Sequence, residues 1–415
     1  MQRAPRTIRW SAKAWGLALC LVSCLFFVAF QGGKLSLMLL IIITCLSVYL
    51  LLGRWSGISS ARGRREIGGV AGGAMLQAGS ALKANIHVDI PGFWPIPYVT
   101  VKDKLTKFGG DSQLYEGTFV PDWKRRGELS YVTPPLGRGL YKYESVECVT
   151  QDIFGLFEHA GVIAMPLTFS VLPRTVNIPE WRQLRTLFKG NHQQSSVNGS
   201  QRETTQINGV REYIYGDRLA KVHWRATART GHWKSKEFER ESLPKLTIVL
   251  DRQTNAYRSS EQFELAVSVA ASLLQFAAKR GMSTGFLSVG GGKVYHETPG
   301  GPETRSRIEK HLIEVQPDAN GDPSRALRDR SRLPASGGLV ILVSPQRGEA
   351  VMKALKWLDV NGVSACHMRV GTGTGAGANG KGKDDWSAAL RSVGVASYTV
   401  QQLEELPLVL GGKGA

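Results

Sequence analysis

The chain has 415 residues, 42% of them hydrophobic, and a formal net charge of +18 at pH 7. That length and apolar content provide ample core for two globular domains beside a membrane segment. Its five cysteines show no paired spacing typical of zinc sites or disulfides, which excludes a disulfide scaffold and favours reduced, structural cysteines.

Two apolar segments, residues 15–30 and 35–52, contain no charged residue, and each has the length of a helix that crosses a hydrocarbon core. Because only four residues separate them, we predict a transmembrane helical hairpin over residues 15–52, after an N-terminal segment over residues 1–14. Basic residues flank the hairpin on both sides, so the positive-inside rule places both termini in the cytoplasm. These flanking residues are Arg3, Arg6, Arg9, Lys13, Arg54, Arg62, Arg64 and Arg65.

A cleavable signal peptide is the alternative for the first apolar segment, but no Ala-x-Ala-like site precedes the second. The net charge of +18 invites a nucleic-acid hypothesis. Many of the charges flank the hairpin, where anionic lipid head groups attract them, and the others are scattered. We therefore expect contact with membrane lipids and no nucleic-acid partner.

The segment after the hairpin contains short extended patterns separated by Pro and Gly turns. We predict a basic linker over residues 53–69 and a small β-sandwich over residues 70–180. Residues 181–209 are predicted to be a flexible linker, because residues 190–208 are polar and almost without apolar anchors. The strands of the sandwich are expected at residues 86–90, 98–101, 129–132, 141–149 and 167–172.

Residues 210–244 combine aromatic residues with arginines in a mixture that no core helix or strand requires. Aromatic and Arg side chains supply apolar area together with directional donors, as the anchors of interfaces do. In the main alternative the motif is structural: its arginines pair with Glu212, Asp217 and Glu239, while Trp224 and Tyr213 wedge the motif against the domain that follows. Catalysis by His223, Asp217, Ser235 or Glu237 is a weaker alternative, because no nucleophile motif is present. The candidate partner-binding residues are Arg211, Glu212, Tyr213, Gly216, Asp217, Trp224, Arg225 and Arg229.

From residue 245 to 415 the period changes to alternating strands and helices. Strands are predicted at residues 246–250, 285–289, 339–343 and 365–370. Helices are predicted at residues 261–280, 306–315, 350–358 and 386–393. This order predicts a parallel sheet covered on both faces, with a ligand crevice at the carboxyl ends of its strands.

A family signature is carried by nine residues of this segment, which resemble the pattern of the bacterial family called domain of unknown function 58: Arg211, Glu212, Tyr213, Gly216, Asp217, Trp224, Ala228, Arg229 and Gly231. Upstream, Arg138-Gly139-Leu140-Tyr141 is similar to another element of that family, as are residues 152–157, where Ile153 replaces a proline. The resemblance implies a membrane-anchored bacterial protein whose C-terminal domain has a von Willebrand factor A-like, Rossmann-like fold. It also implies two partners, a MoxR-type AAA+ ATPase and a transglutaminase-like membrane protein.

The resemblance further implies the position of a metal site, because the first strand of a von Willebrand factor A domain ends in the metal-binding sequence Asp-x-Ser-x-Ser. Asp251 is retained here, whereas Gln253 and Asn255 replace both serines, and Ser344 stands where a second Asp often follows. We expect no cofactor, with Asp251, Asn255 and Ser344 as weak candidate ligands of Mg²⁺. Residues 375–381 nearly spell a phosphate-binding loop, but Gly382 occupies the position that requires Ser or Thr.

These observations predict a multi-domain, non-enzymatic scaffold in the cell membrane that docks partner proteins in assembly of envelope complexes. The alternative is a nucleotide- or metal-dependent regulator or enzyme that uses the crevice near Asp251.

Overall fold

The computed structural model describes residues 12–53, 56–68, 76–153, 155, 157–189, 201–215, 219–242, 245–289, 295–318, 320, 324, 327–329, 338–371 and 385–412. These residues divide into two compact units, Met1–Leu172 and Pro173–Ala415, which are taken in turn.

The first unit begins with two consecutive helices, α1 (Ala12–Gln31) and α2 (Lys34–Leu52), which coincide with the predicted apolar segments. Between them, Gly32 and Gly33 adopt positive φ angles of 58° and 96°, a conformation that glycine reaches without steric cost. Among the described residues, no helix has both the length and the apolar character that a membrane crossing requires. The crossing of a bilayer by this hairpin stays a prediction.

Two sheets follow the helices in the first unit. One has the strand order β1-β3-β6 and the other has the order β2-β8-β7-β4-β5; every pairing is antiparallel except β2 with β8. Alternate residues of β3, such as Ile86 and Val88, share one core with Val99 and Val101 of β4, so the sheets face each other across it. The strands are β1 (Arg62–Ile67), β2 (Leu76–Gln77), β3 (Lys83–Asp89), β4 (Val99–Lys107), β5 (Ser112–Phe119), β6 (Arg126–Val132), β7 (Gly139–Gln151) and β8 (Glu158–Leu172).

Two parts of this unit differ from the sequence prediction. Residues 53–69 were predicted to be a linker, but they include a 3₁₀ turn (Ile58–Ser60) and β1, which pairs with β3. Ile58 is buried in the core, and this apolar anchor explains why the segment is structured. Strand β5 was not predicted, because as a largely exposed edge strand it has little apolar alternation.

The second unit contains a six-stranded sheet in the order β13-β12-β11-β14-β15-β16. All its pairings are parallel except that of β13 with β12, which departs from the all-parallel sheet predicted. The elements from the start of this sheet are β11 (Lys245–Asp251), α5 (Ser260–Lys279), β12 (Ser283–Val289), β13 (Tyr295–Gly300), α6 (Pro302–Glu314), β14 (Leu339–Ser344), α7 (Glu349–Val360), β15 (Ser364–Val370), α8 (Asp385–Ser392), β16 (Ala396–Val400) and α9 (Leu406–Gly411).

Both faces of this sheet are buried, as expected for parallel strands. Ile248 and Leu250 of β11 point into one core, which they share with α5 and α6. Val249 between them points into the other core, which α7 and α8 cover. The carboxyl ends of β11, β14 and β15 therefore lie together at one edge of the sheet.

The segment from Pro173 to residue 189 belongs to this second unit, although the sequence predicted the end of the sandwich and a linker there. Trp181 and Leu184 are buried in the same core as Phe276, and the Trp181 indole N–H donates to the Tyr398 hydroxyl at 3.0 Å. A short helix, α3 (Leu184–Lys189), follows, and residues 201–209 lie in a strand. The predicted linker residues 190–200 lie outside the described residues.

Candidate functional site

The family-signature segment forms a hairpin that is a sheet of its own. Strand β9 (Gln201–Glu212) pairs antiparallel with β10 (Lys234–Ser242), in a two-stranded sheet. A 3₁₀ turn (Leu219–Lys221) and a seven-residue helix, α4 (Trp224–Thr230), lie between the strands. We call residues 201–242 the signature hairpin. Gly216 and Asp217, two of the predicted site residues, lie outside the described residues.

Several motif residues hold the tip of the hairpin together. Val222 is fully buried and forms an isolated bridge with Ser235, which is also buried. The Nδ1 atom of His223 accepts the Ala226 N–H at 3.1 Å and so caps α4, while Thr227 Oγ1 accepts the Lys234 N–H at 3.0 Å. These bonds give His223 and Thr227 a structural role in the tip of the hairpin.

The backbone conformation at the end of α4 explains why residue 231 of the motif is a glycine. Gly231 follows the helix with φ 74° and donates its N–H to Thr227 O at 2.9 Å. A left-handed residue at this position ends a helix and is most often glycine. The chain then reverses directly into β10.

An aromatic cluster, consisting of Tyr213, Trp224 and Trp233, lies on the surface of the tip. The Trp233 ring centroid is 5.4 Å from that of Tyr213 and 6.0 Å from that of Trp224. Trp224 is 63% exposed and Trp233 is 50% exposed. Most of the Trp224 side chain therefore faces solvent, which disfavours the alternative in which Trp224 wedges the motif against the domain that follows. Other large exposed apolar side chains of the hairpin are Val210, Ile214, Tyr215 and Leu219.

Arginines accompany the aromatic cluster. Arg225 and Arg229 are both exposed and stand one turn apart on α4, where like charges repel. Glu212 forms its ion pair with Lys234, at 3.2 Å, and its backbone oxygen accepts from Arg211 at 3.0 Å. Glu212 thus contacts a lysine across the two strands of the hairpin.

Trp233 was absent from the predicted site, although it connects the other two rings. Its signal in the sequence was weak, because its position beside Tyr213 depends on how the two strands pair. The antiparallel register brings it beside Tyr213, whose backbone N–H donates to Trp233 O at 2.9 Å.

The crevice near Asp251 is built differently. Asp251 is fully buried at the end of β11, and its two carboxylate oxygens accept from Ser344 Oγ at 2.7 Å and from the Gln253 N–H at 2.9 Å. Burial strongly raises the pKa of Tyr257, whose hydroxyl donates to the Asp251 backbone oxygen at 2.6 Å. Asp251 therefore organises the loop that follows β11.

This arrangement does not fit a bound Mg²⁺ ion. Asp251 and Ser344 are brought together, but by a hydrogen bond between them, while Asn255 lies exposed in a 3₁₀ turn. The nearly buried Arg252 adjoins the site and pairs with Asp318. Within the described part of the chain, no three His, Cys, Asp or Glu residues are grouped as a metal site. The glycine-rich residues 375–381 lie outside the described residues.

Comparison with known proteins finds similarity to one family over part of the chain. Residues 209–364 match the family described as protein of unknown function DUF58, which confirms the predicted resemblance over the signature hairpin and the start of the sheet. The chain is also 26% identical, over 338 residues, to a protein of Bacillus subtilis (strain 168) described as uncharacterized protein YeaD. The aligned part covers 79% of this chain and 81% of that relative.

Two solved structures are similar to part of the chain. One is an aerotolerance-related membrane protein from Bacteroides fragilis NCTC 9343, with 15% identity and a TM-score of 0.30, covering 41% of this chain and 97% of that one. The other is proximal thread matrix protein 1 from the mussel byssus, with 16% identity and a TM-score of 0.29, covering 41% of this chain and 46% of that one. TM-scores this low assign no fold, so the von Willebrand A-like fold stays a prediction.

Proposed function

We propose that this protein is a non-enzymatic scaffold, tethered to the bacterial cell membrane, that docks a MoxR-type AAA+ ATPase through its signature hairpin. The observation that carries the proposal is the aromatic cluster, exposed on a small sheet of its own and held by an internal framework of hydrogen bonds. Clustered Trp, Tyr and Arg side chains are the residue types that dominate binding energy at protein interfaces.

The geometry supports docking because one set of residues holds the tip of the hairpin in place, while a second set is exposed and available to a partner. Val222, His223, Thr227 and Gly231 fix the tip, so the anchors lose little conformational entropy on binding. The Trp224 and Trp233 side chains are exposed in the isolated chain, and a bound partner would bury their apolar surface.

Charge indicates the kind of surface that this hairpin would meet. Arg225 and Arg229 repel each other on α4, and a facing acidic surface would relieve that repulsion. Arg also stacks on aromatic rings and bonds carboxylates with a planar fork. We therefore expect the ATPase surface in contact with α4 to carry Asp or Glu residues beside an apolar pocket.

The membrane tether is the second part of the proposal. Helices α1 and α2 would cross the bilayer as a hairpin with both chain termini in the cytoplasm, because basic residues flank both apolar segments. Such a tether confines the docking surface to the membrane face and raises its concentration near a transglutaminase-like membrane partner.

Co-purification with a MoxR-type ATPase tests the proposal. Wild-type protein in detergent is expected to capture the ATPase, and the variants Trp224→Ala and Arg225→Ala are expected to capture much less. Arg305→Ala is the matched control, because Arg305 is an exposed arginine on α6, outside the hairpin. Undiminished capture by folded Trp224→Ala and Arg225→Ala would remove the hairpin from the interface.

A further inference from the structure

A cleft of about 370 Å³ lies at the carboxyl edge of the six-stranded sheet, apart from the signature hairpin. Strand β11 pairs with β12 on one side and with β14 on the other, so the chain order reverses at β11. In open α/β sheets this reversal creates the crevice in which ligands bind. The cleft is lined by Ala256, Arg258, Gln262, Pro345, Arg347, Arg369, Val370 and Gly371.

Three arginines from separate parts of the chain line this arginine cleft. Arg258 follows β11, Arg347 follows β14, and Arg369 lies near the end of β15. Arg369 is only 7% exposed, and its Nε donates to Thr399 Oγ1 at 3.1 Å, which fixes the orientation of the guanidinium. Arg258 and Arg347 are exposed at the rim of the cleft.

The walls of the cleft are joined by one buried amide. Gln262 accepts the Arg258 N–H through Oε1 at 2.9 Å and donates from Nε2 to Val370 O at 2.9 Å. Because the loop after β11 and the end of β15 share this side chain, the positions of Arg258 and Arg369 are coupled. A site held in this way is preformed, which lowers the entropy cost of binding.

The electrostatics of the cleft favour an anion. Among its described lining residues, the charged side chains are the three arginines, and no carboxylate is present. Helix α7 begins beside Arg347, and its N-cap Gly348 supplies no side-chain cap, so first-turn N–H groups add positive potential. Glu349 in that turn is neutralised in part by Lys353, 2.7 Å away.

We propose that the arginine cleft binds the phosphate group of a small phosphorylated ligand. Phosphate offers several acceptor oxygens and up to two negative charges, which match the forked donors of three arginines better than a single carboxylate does. The volume is near the lower end of the range for ligand pockets, which favours a small molecule. A charge as buried as that of Arg369 attracts an anion more strongly than an exposed one.

Titration calorimetry on the full chain tests this proposal, with inorganic phosphate and pyrophosphate as probes at constant ionic strength. A second arm uses nanodiscs in which phosphatidic acid replaces phosphatidylcholine, and so distinguishes a lipid head group from a soluble phosphate. We expect saturable binding in one arm. We also expect Arg258→Met and Arg369→Met each to weaken it at least about tenfold, because each removes a charge-assisted contact.

Two further variants show whether binding depends on the arginines of the cleft. Arg391→Met removes an exposed arginine of α8 and is expected to leave the affinity unchanged. Arg258→Lys retains the charge without the fork and is expected to weaken binding less than Arg258→Met. The proposal is overturned if neither arm shows saturable binding, if folded Arg258→Met binds like wild type, or if Arg391→Met weakens binding equally.

Discussion

Arg65 and Asp103 form an ion pair, 2.7 Å between Nη2 and Oδ1, whose side chains are 3% and 0% exposed. Arg65 also donates to Met165 O at 2.6 Å, and its guanidinium lies 4.2 Å from the centroid of the Tyr143 ring. The Tyr131 hydroxyl donates to Asp103 at 2.6 Å, and burial is the main reason that the pKa of this tyrosine is raised. The pair thus ties β1 of one sheet to β4 of the other.

We predict that Asp103→Asn lowers the free energy of unfolding of the first unit by about 3–5 kcal/mol, because it leaves the Arg65 charge buried without its counter-ion. Hydrogen exchange of peptides from β4 and β7 in the full chain measures the loss. Arg64→Met is the matched control: Arg64 is largely exposed in its pair with Glu66, and its removal is expected to cost less than about 1 kcal/mol. Equal protection in Asp103→Asn and wild type would contradict this account.

His367 is expected to make the second unit sensitive to acid. Burial, with a further contribution from the Arg347 charge, lowers the pKa of His367 to about 4. The unfolded chain takes up this proton near pH 6.5, so between these pH values the unfolded state binds more protons and stability falls as the pH falls. The full effect is about 3 kcal/mol.

Denaturant unfolding of wild type and His367→Gln at about pH 7 and about pH 4.5 measures this contribution. His367→Gln can still accept from the Trp386 indole N–H, which lies 3.0 Å from His367 Nδ1. We expect the variant to lose less stability on acidification than wild type. Identical losses in the two proteins would show that another group titrates.

The hydrogen bond between Ser344 and Asp251 is expected to stabilise the carboxyl edge of the sheet. Ser344→Ala should lower the free energy of unfolding by about 1–3 kcal/mol, because it removes a donor from a buried carboxylate. Ser288→Ala is the control: that hydroxyl is also buried, has no hydrogen-bond partner among the described residues, and its removal should be nearly neutral. Denaturant titration of both variants makes the comparison, and equal costs would contradict a specific role for the bond.

Magnesium provides a separate test of the same residues. Since both Asp251 oxygens already accept hydrogen bonds, we expect millimolar Mg²⁺ to leave the thermal midpoint of the wild type unchanged. A rise in the midpoint that Asp251→Asn abolishes would instead support the alternative of a metal-dependent regulator.

The parts of the fold that the sequence predicted best have strong periodic patterns. The continuous apolar run of β11 and the long apolar stripe of α5 lie within one residue or two of the predicted bounds. The segment around Trp181 was missed because two apolar anchors in a polar stretch form no period, and only the tertiary fold reveals what they pack against.

The two candidate sites were also predicted only where a local sequence pattern marks them. Trp224 and Arg225 were predicted because they stand in one dense motif, whereas Trp233 joins them through strand pairing. The sequence predicted a crevice at the carboxyl ends of the strands but not the arginines that line it, since Arg258 and Arg369 are far apart in the chain and meet only through the order of the strands.

In the proposed function, the aromatic cluster of the signature hairpin is the docking surface. We test this through the affinity of the full chain, in nanodiscs, for a MoxR-type ATPase, compared between wild type, Trp233→Ala and Trp123→Ala. Trp123 is 88% exposed in the first unit and is the matched control. We predict that Trp233→Ala weakens binding at least about tenfold while Trp123→Ala binds like wild type. Wild-type affinity in folded Trp233→Ala would contradict the account.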